Sequence, residues 1–301
     1  MAVHSSAMRL RLGTRGSQLA LIQSQIVAGR LSDAGHEVEL VPIVTEGDTR
    51  PVDMSPGEGV FVAAIARALL EGQVDLAVHS AKDVPLEQEP DLVIAAYPER
   101  ADARDALITR QGGQTLAGLP QGATVGTDSP RRTGFLRAVR PDLRVIPLHG
   151  NVDTRLKRLD EGVVDALVIA AAGVDRLGRG KRIDQRLDPQ TVAPAPGQGA
   201  LAIQARRSDP KLLEILSEID VPDVRIAVEI EREVLRATGG TCRAPVGAYA
   251  SIAGLTFTLL VAGVNSDGSG MRVESIRGAR EDGVRLAAEA GQRLVAQVAL
   301  R

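Results

Sequence analysis

Twice in its first half, this chain passes from a short strand through a Gly-Thr turn into a serine-capped helix. Residues 9–13 alternate as a strand, and Gly13-Thr14-Arg15-Gly16-Ser17 makes the turn. Leu19, Ile22 and Ile26 then mark one face of a helix that Gly35 stops. Residues 124–126 read as a second such strand, Gly126-Thr127-Asp128-Ser129 as the turn, and 131–139 as the helix. Strands that alternate with helices bury their apolar faces as sheets covered by helices, so an α/β architecture with parallel sheets is expected. The recurrence predicts two similar α/β lobes.

The remaining elements fit that frame. Strands are expected at 37–44, 74–79, 92–96, 144–148 and 166–170, and helices at 60–71, 151–160 and 171–177. Residues 46–59, with three glycines and two prolines among acidic side chains, read as a mobile loop. TVAPAPGQGALAIQ (191–204) is a Pro/Gly-rich crossing that returns the chain to the first lobe. A different pattern follows: a helix at 223–236 ended by Gly239-Gly240, strands at 246–252, 256–264 and 272–278 with a turn at 265–270, and a helix at 282–300. That is an antiparallel sheet with a covering helix, a small α+β domain. Three domains are therefore expected: 1–99 with 200–217, 100–199, and 218–301.

Composition excludes several function classes. The 301 residues contain no Trp, and Phe61, Phe135, Phe257, Tyr97 and Tyr249 are the only aromatics. With a net charge of −2, the chain offers neither a base-stacking platform nor a general pull toward phosphate backbones, so no nucleic acid is expected. No apolar run reaches the ~18 residues of a membrane span, and residues 1–12 hold no apolar signal core; a cytoplasmic protein is expected. Cys242 is the single cysteine, which rules out an internal disulfide framework and a Cys-rich zinc site. Of 36 basic residues only Lys82, Lys157, Lys181 and Lys211 are lysines. Codon bias accounts for the overall ratio, so the placement of individual arginines carries the information.

Ligands in open α/β sheets bind outside the carboxyl ends of strands. Five polar clusters fall there: residues 14–17, His79-Ser80-Ala81-Lys82-Asp83, 127–132 with the pair Arg131-Arg132, His149-Gly150-Asn151 running on to Arg155, and 170–176 with Arg176. Helix starts at Ser17, Ser129 and Asn151 add backbone N–H donors for anions. Cations and amides converging from two lobes imply a multiply anionic ligand. No Walker A loop or GxGxxG follows a strand, so phosphate is not the obvious anion. Each residue also has a plainer role: His79 as a satisfied core histidine, Arg131-Arg132 as a surface pair, Asp83 as the partner of Lys82, and Cys242 as a small core residue. Arg236 and Arg243 near Cys242 favour its thiolate, which makes it a candidate nucleophile.

These residues resemble a known family. HSAKDVP (79–85), GTDSPRRTGFLRAVRPDL (126–143), GNVDTRLKRLDEG (150–162), PAPGQGALAIQAR (194–206) and GGTCRAPVGAYA (239–250) are similar to motifs of the porphobilinogen deaminases, also called hydroxymethylbilane synthases. The resemblance runs from about Arg9 to the C-terminus. It implies two lobes like type II periplasmic binding proteins and a third domain. It implies an enzyme, expected to need no metal, that condenses four porphobilinogens into hydroxymethylbilane on a dipyrromethane primer joined to Cys242 by a thioether. It places the catalytic aspartate on Asp83, with Lys82 beside it. Cofactor binding falls on Arg131, Arg132, Arg155, Lys82, Ser129 and Asp83. Substrate binding falls on Arg15, Ser17, Arg176, His149, Ser80, Thr127 and Gln198. A monomer is expected.

The chain departs from the family pattern at His149, where arginine is usual, and at Glu58, where lysine is common. Asp128 and Pro130 are further departures. Both His149 and Glu58 lower the positive charge facing substrate carboxylates. Two other readings therefore stand beside the first: a diverged paralog making a shorter or modified oligopyrrole, and a non-catalytic two-lobed binder of small anions.

Overall fold

The computed structural model describes residues 7–44, 60–240 and 244–298. The expected loop at 46–59 with Glu58, and Cys242 with its neighbours Thr241 and Arg243, lie outside the described residues.

The strands run in chain order β1 (Arg9–Arg15), β2 (Glu37–Ile43), β3 (Leu76–Ser80), β4 (Leu92–Ala96), β5 (Asp105–Thr109), β6 (Thr124–Gly126), β7 (Arg144–Ile146), β8 (Ala166–Ala170), β9 (Gln185–Arg186) and β10 (Leu201–Arg206). They form two five-stranded sheets, ordered β2-β1-β3-β10-β4 and β7-β6-β8-β5-β9. The helices are α1 (Gln18–Asp33), α2 (Val60–Leu70), α3 (Pro130–Val139), α4 (Val152–Asp160), α5 (Ala171–Arg176) and α6 (Pro210–Ser217). Third come α7 (Pro222–Ala237), the antiparallel strands β11 (Val246–Ala253), β12 (Thr256–Gly263) and β13 (Arg272–Ala279), and α8 (Gly283–Gln297).

The two large sheets share one topology, which bears out the paired lobes. β1 lies between β2 and β3 in parallel register, as β6 lies between β7 and β8. The expectation of wholly parallel sheets is corrected. In the first lobe β10 runs antiparallel to β3 and β4, and in the second β5 runs antiparallel to β8 and β9. The reason is the connection. The chain leaves the first lobe through residues 97–104 and returns through 187–200, and the strand next to each crossing must run back against its neighbours. The crossings touch: Ala101 N donates to Gly199 O at 3.2 Å, and Arg100 Nε to Gln198 O at 2.9 Å.

Local chemistry explains the elements that position the site. In β1, Leu10 and Leu12 point into the core while Arg11 turns outward to Asp75, with Nη2 2.8 Å from Oδ1. Pro42 falls in β2, an edge strand, where its missing N–H costs no ladder bond. Ser17, Ser129 and Asn151 each cap a helix, their side chains accepting from Ala20 N, Arg132 N and Thr154 N. Pro130 sits in the first turn of α3, where its fixed φ suits the helix.

The expected apolar face of α1 is corrected. The buried side chains are Gln23, Ser24, Val27 and Leu31, and Ile26 is 39% exposed. Gln23 is buried because Ser80 Oγ accepts from its Nε2 at 3.1 Å. Leu19 faces the other lobe instead: a Cβ built on Gly173 of α5 would stand 3.5 Å from its Cδ2.

The third sheet docks on the second lobe and on the returning crossing, and Val228 of α7 packs with Ala81, Val84 and Ile94 of the first lobe. Ala262 and Val264 join the apolar core of the second lobe around Phe135 and Leu136. Ala248 N donates to Pro194 O at 2.9 Å. Glu231 of α7, fully buried, accepts from Arg100 at 2.6 and 2.9 Å, from Gly197 N at 2.6 Å and from Ala250 N at 2.8 Å. One carboxylate thus joins α7, β11 and both crossings. Among the described residues, no helix is long and apolar enough to cross a membrane.

Candidate active site

The five polar clusters all follow carboxyl ends of strands: β1, β3, β6, β7 and β8. A hollow of about 340 Å³ is lined by Gly16 and Ser17 from the first lobe and Asn151 from the second. Two helix starts, those of α1 and α4, therefore border one cleft. A second hollow of about 430 Å³, lined by Arg100, Ala101, Asp102, Ala103, Arg104, Pro189 and Tyr249, contains none of the expected site residues.

Asp83 ends a single 3-10 turn (Ala81–Asp83) after β3. Its side chain is exposed and, among the described residues, makes no hydrogen bond or ion pair. The carboxylate is thus available to a ligand, and it does not serve as a close partner of Lys82. Lys82 points inward. Its Nζ donates to Gln198 Oε1 at 3.3 Å. Burial pushes its pKa down to about 8; Asp83 and Asp105 oppose that fall, and Arg132 and Arg131 add to it.

Arg131 and Arg132 are both buried, 3% and 5% exposed, so they are not a surface pair. They close on Asp105, the first residue of β5. Arg131 Nη2 stands 2.8 Å from Oδ2, and Arg132 reaches Oδ1 with Nε at 3.0 Å and Nη2 at 2.8 Å. Arg131 also donates to Ala193 O on the returning crossing. Burial alone would raise the Asp105 pKa; the two guanidiniums reverse this and hold it at about 2. Gln198, fully buried, donates to Asp105 Oδ1 at 2.8 Å and to Ala103 O at 2.7 Å, and its Oε1 accepts from Arg132 and Lys82. The arginine pair is therefore half-neutralised within the chain. Sequence reading missed Asp105. Its signal was a carboxylate opening a wholly apolar run, which must find a cation if buried.

Arg155 and Arg176 differ. Each is half-buried, and among the described residues neither makes an ion pair. Arg155 Nε donates to Gly150 O and Arg176 Nη2 to Gly199 O, both at 2.8 Å. Burial lowers both to about 10, with Arg132 contributing at Arg155, so both remain cationic at neutral pH. At Arg155 the Asp128 and Asp83 charges oppose that fall; half-buried cations hydrogen-bonded to carbonyls and without an ion pair suit an anionic ligand.

Other expected residues are placed as follows. Ser80 is held by Gln23. Thr127 is buried, and its Oγ1 accepts from Ser129 N at 3.4 Å. Arg15 closes β1 beside Ser17 at the cleft. His149 Nδ1 lies 2.9 Å from Asp128 Oδ1, so these two departures from the family pattern face each other. Arg236 pairs with Glu233 one turn away, so its charge is already engaged by that carboxylate.

His79 is 6% exposed, and its Nε2 stands 3.2 Å from Gln204 Oε1 on β10. It is a core histidine. Burial drives its pKa down to about 4, with Gln204 opposing. Between pH 6.5 and 4 the unfolded chain therefore binds a proton that the folded chain refuses. That contribution to stability, on the order of 3 kcal/mol, is present above about pH 6.5 and lost as pH falls toward 4. Denaturant titrations of wild type and His79→Gln test this: the variant is expected to show the flatter profile in that window, and parallel profiles would contradict the assignment.

Residues 10–214 match the family model "Porphobilinogen deaminase, dipyromethane cofactor binding domain", and residues 225–295 match "Porphobilinogen deaminase, C-terminal domain". The chain is 48% identical to the porphobilinogen deaminase of Acidothermus cellulolyticus over 86% of its own length and 80% of that protein. It is 45% identical to that of Mycolicibacterium gilvum, over 89% and 84% respectively. Among solved structures it is similar to the periplasmic VFT2 domain of Bordetella pertussis BvgS, at 18% identity and a TM-score of 0.42, covering 70% of this chain and 86% of that one.

Proposed function

The chain belongs to the porphobilinogen deaminase family, and from that premise we propose that it is a hydroxymethylbilane synthase acting in tetrapyrrole synthesis. The observation that carries the reading is an exposed carboxylate, Asp83, that makes no hydrogen bond or ion pair among the described residues, together with two half-buried guanidiniums, Arg155 and Arg176, that make no ion pair among them.

Porphobilinogen carries an acetate and a propionate, so a growing oligopyrrole is a polyanion. The donor set fits it. Arg15, Ser17 and Arg176 would bind the substrate carboxylates, with Ser80, Thr127, His149 and Gln198 shaping the wall. Arg131, Arg132, Arg155, Ser129, Lys82 and Asp83 would hold the dipyrromethane, which Cys242 would anchor as a thioether; when bound, it supplies the nucleophilic pyrrole onto which each substrate condenses. Porphobilinogen loses ammonia from its aminomethyl carbon, leaving a positively charged pyrrole. The Asp83 carboxylate stabilises that charge, and in its protonated form assists the departing amine. A carbon–carbon bond then forms, and the attacking pyrrole carbon gives up its proton.

We divide the chain into 1–99 with 200–217, 100–199, and 218–301, the first part carrying Asp83, the second the carboxylate-binding arginines, and the third Cys242. The same reading takes the protein as a cytoplasmic monomer. The facing pair His149–Asp128 favours one alternative, a paralog with a shorter or modified product, because a histidine beside a carboxylate stands where the family pattern has arginine. Incubation with porphobilinogen and mass analysis of the released product separates the two. A linear tetrapyrrole is expected; a di- or tripyrrole, or no consumption of porphobilinogen, would contradict the proposal.

A further inference from the structure

The turn that carries Lys82 and Asp83 is too short to hold itself. Its own closing bond, Val84 N to Ala81 O, is 3.4 Å long. Ala81 and Val84 are 1% and 4% exposed, so their carbonyls need partners from the protein. Arg232 of α7 supplies them. Its Nη1 donates to Val84 O at 2.8 Å and Ala81 O at 3.3 Å, and its Nη2 to Pro85 O at 2.7 Å. Arg232 is 9% exposed and makes no ion pair among the described residues. Its charge is committed to three carbonyls of one turn, a fan that the planar guanidinium can reach and an ammonium cannot match.

The opposite side of the turn is held from the same helix. Gly197 approaches so closely that a Cβ there would stand 3.2 Å from Ala81 C and Lys82 N. Its φ of +76° also favours glycine. Its N–H is gripped by Glu231, the neighbour of Arg232, at 2.6 Å. Two consecutive α7 residues therefore grip both sides of the turn. The same helix leads, through Gly239-Gly240, toward Cys242 in the sequence.

We propose that Arg232 is a positioning residue that fixes the backbone of residues 81–85 and so ties the aim of Asp83 to the seating of α7. The inference rests on the reading that Asp83 acts in turnover. Arg232 itself touches neither substrate nor primer in this account.

The test compares Arg232→Met, Arg232→Lys and, as a control, Arg225→Met. Arg225 docks the same helix on β4, donating to Ile94 O at 3.3 Å and Ala95 O at 2.7 Å, away from the turn. Two quantities are read: kcat and KM for porphobilinogen, and the acetylation rate of Lys82 by mass spectrometry. Exposed Lys157, Lys181 and Lys211 serve as internal references. Arg232→Met is expected to lower kcat about ten- to a hundredfold, the worth of a charged hydrogen-bond set, with KM moved less than about threefold. Lys82 acetylation should rise several-fold relative to the references. Arg232→Lys should recover part of both, and carries the test if the Met variant does not fold. Arg225→Met should lower Tm and leave both readouts near wild type.

Unchanged Lys82 labelling in the Arg232 variants, or equal losses of kcat in Arg225→Met, would overturn the proposal. If Lys82 is freed in Arg232→Met while Asp83→Asn retains turnover, the hold on the turn is upheld and the catalytic reading of Asp83 falls.

Discussion

Asp83→Asn is expected to lower turnover of porphobilinogen by roughly two to four decades while leaving the melting temperature near wild type. The size follows from charge. A carboxylate about 4 Å from a developing cation is worth up to about 4 kcal/mol at an effective dielectric of ~20, roughly a thousandfold in rate. The selectivity follows from the structure. Asp83 is exposed and bonded to nothing among the described residues, so its amide analogue breaks no native contact. Asp105 would behave oppositely: it is fully buried between two guanidiniums, and its loss would leave them unpaired. Steady-state kinetics with a thermal melt decides the matter, and near-normal kcat in Asp83→Asn would remove this residue from the mechanism.

Much of the fold was legible because its signals are local. The capping serines at 17 and 129, the asparagine at 151 and the alternation in β1 each act within a few residues, and the structure repeats them. β5 was not legible. DALIT is a short buried run, and its place in the second sheet comes from pairing with β8, some sixty residues onward. The returning crossing was expected, but the sense of β10 was not, because direction is set by where the chain re-enters rather than by composition.

The site divides in the same way. Residues in the clusters that follow strands, such as Asp83, Arg155 and Arg176, stood out from sequence because polar clusters after apolar strands are visible in one dimension. Their counterparts did not. Asp105 and Glu231 act on residues far away in the chain. Glu231 carried one readable sign: it lies four residues after Ala227 and four before Leu235, on the buried stripe of α7, where a carboxylate demands a partner. Arg232 gave no such sign, since an arginine beside a helix stripe is ordinary.

The second large effect concerns Cys242. It is the only thiol in the chain, so no other side chain can form a thioether. α7 ends at Ala237 with Thr238 as its cap, Gly239 follows with a φ of +61° that suits glycine, and Cys242 lies three residues further on in the sequence. Tethering the primer makes each condensation intramolecular, with effective molarities that can reach ~10⁵ M. Cys242→Ser should therefore abolish turnover. It should also lower Tm, because the primer's carboxylates would bridge the third sheet to the arginines of the second lobe. Intact-mass spectrometry of the isolated protein tests the central claim most directly. The mass should exceed that of the sequence by two porphobilinogen units less two ammonias, with the addition mapping to the Cys242 peptide and absent from Cys242→Ser; an unmodified mass in an active preparation would contradict it.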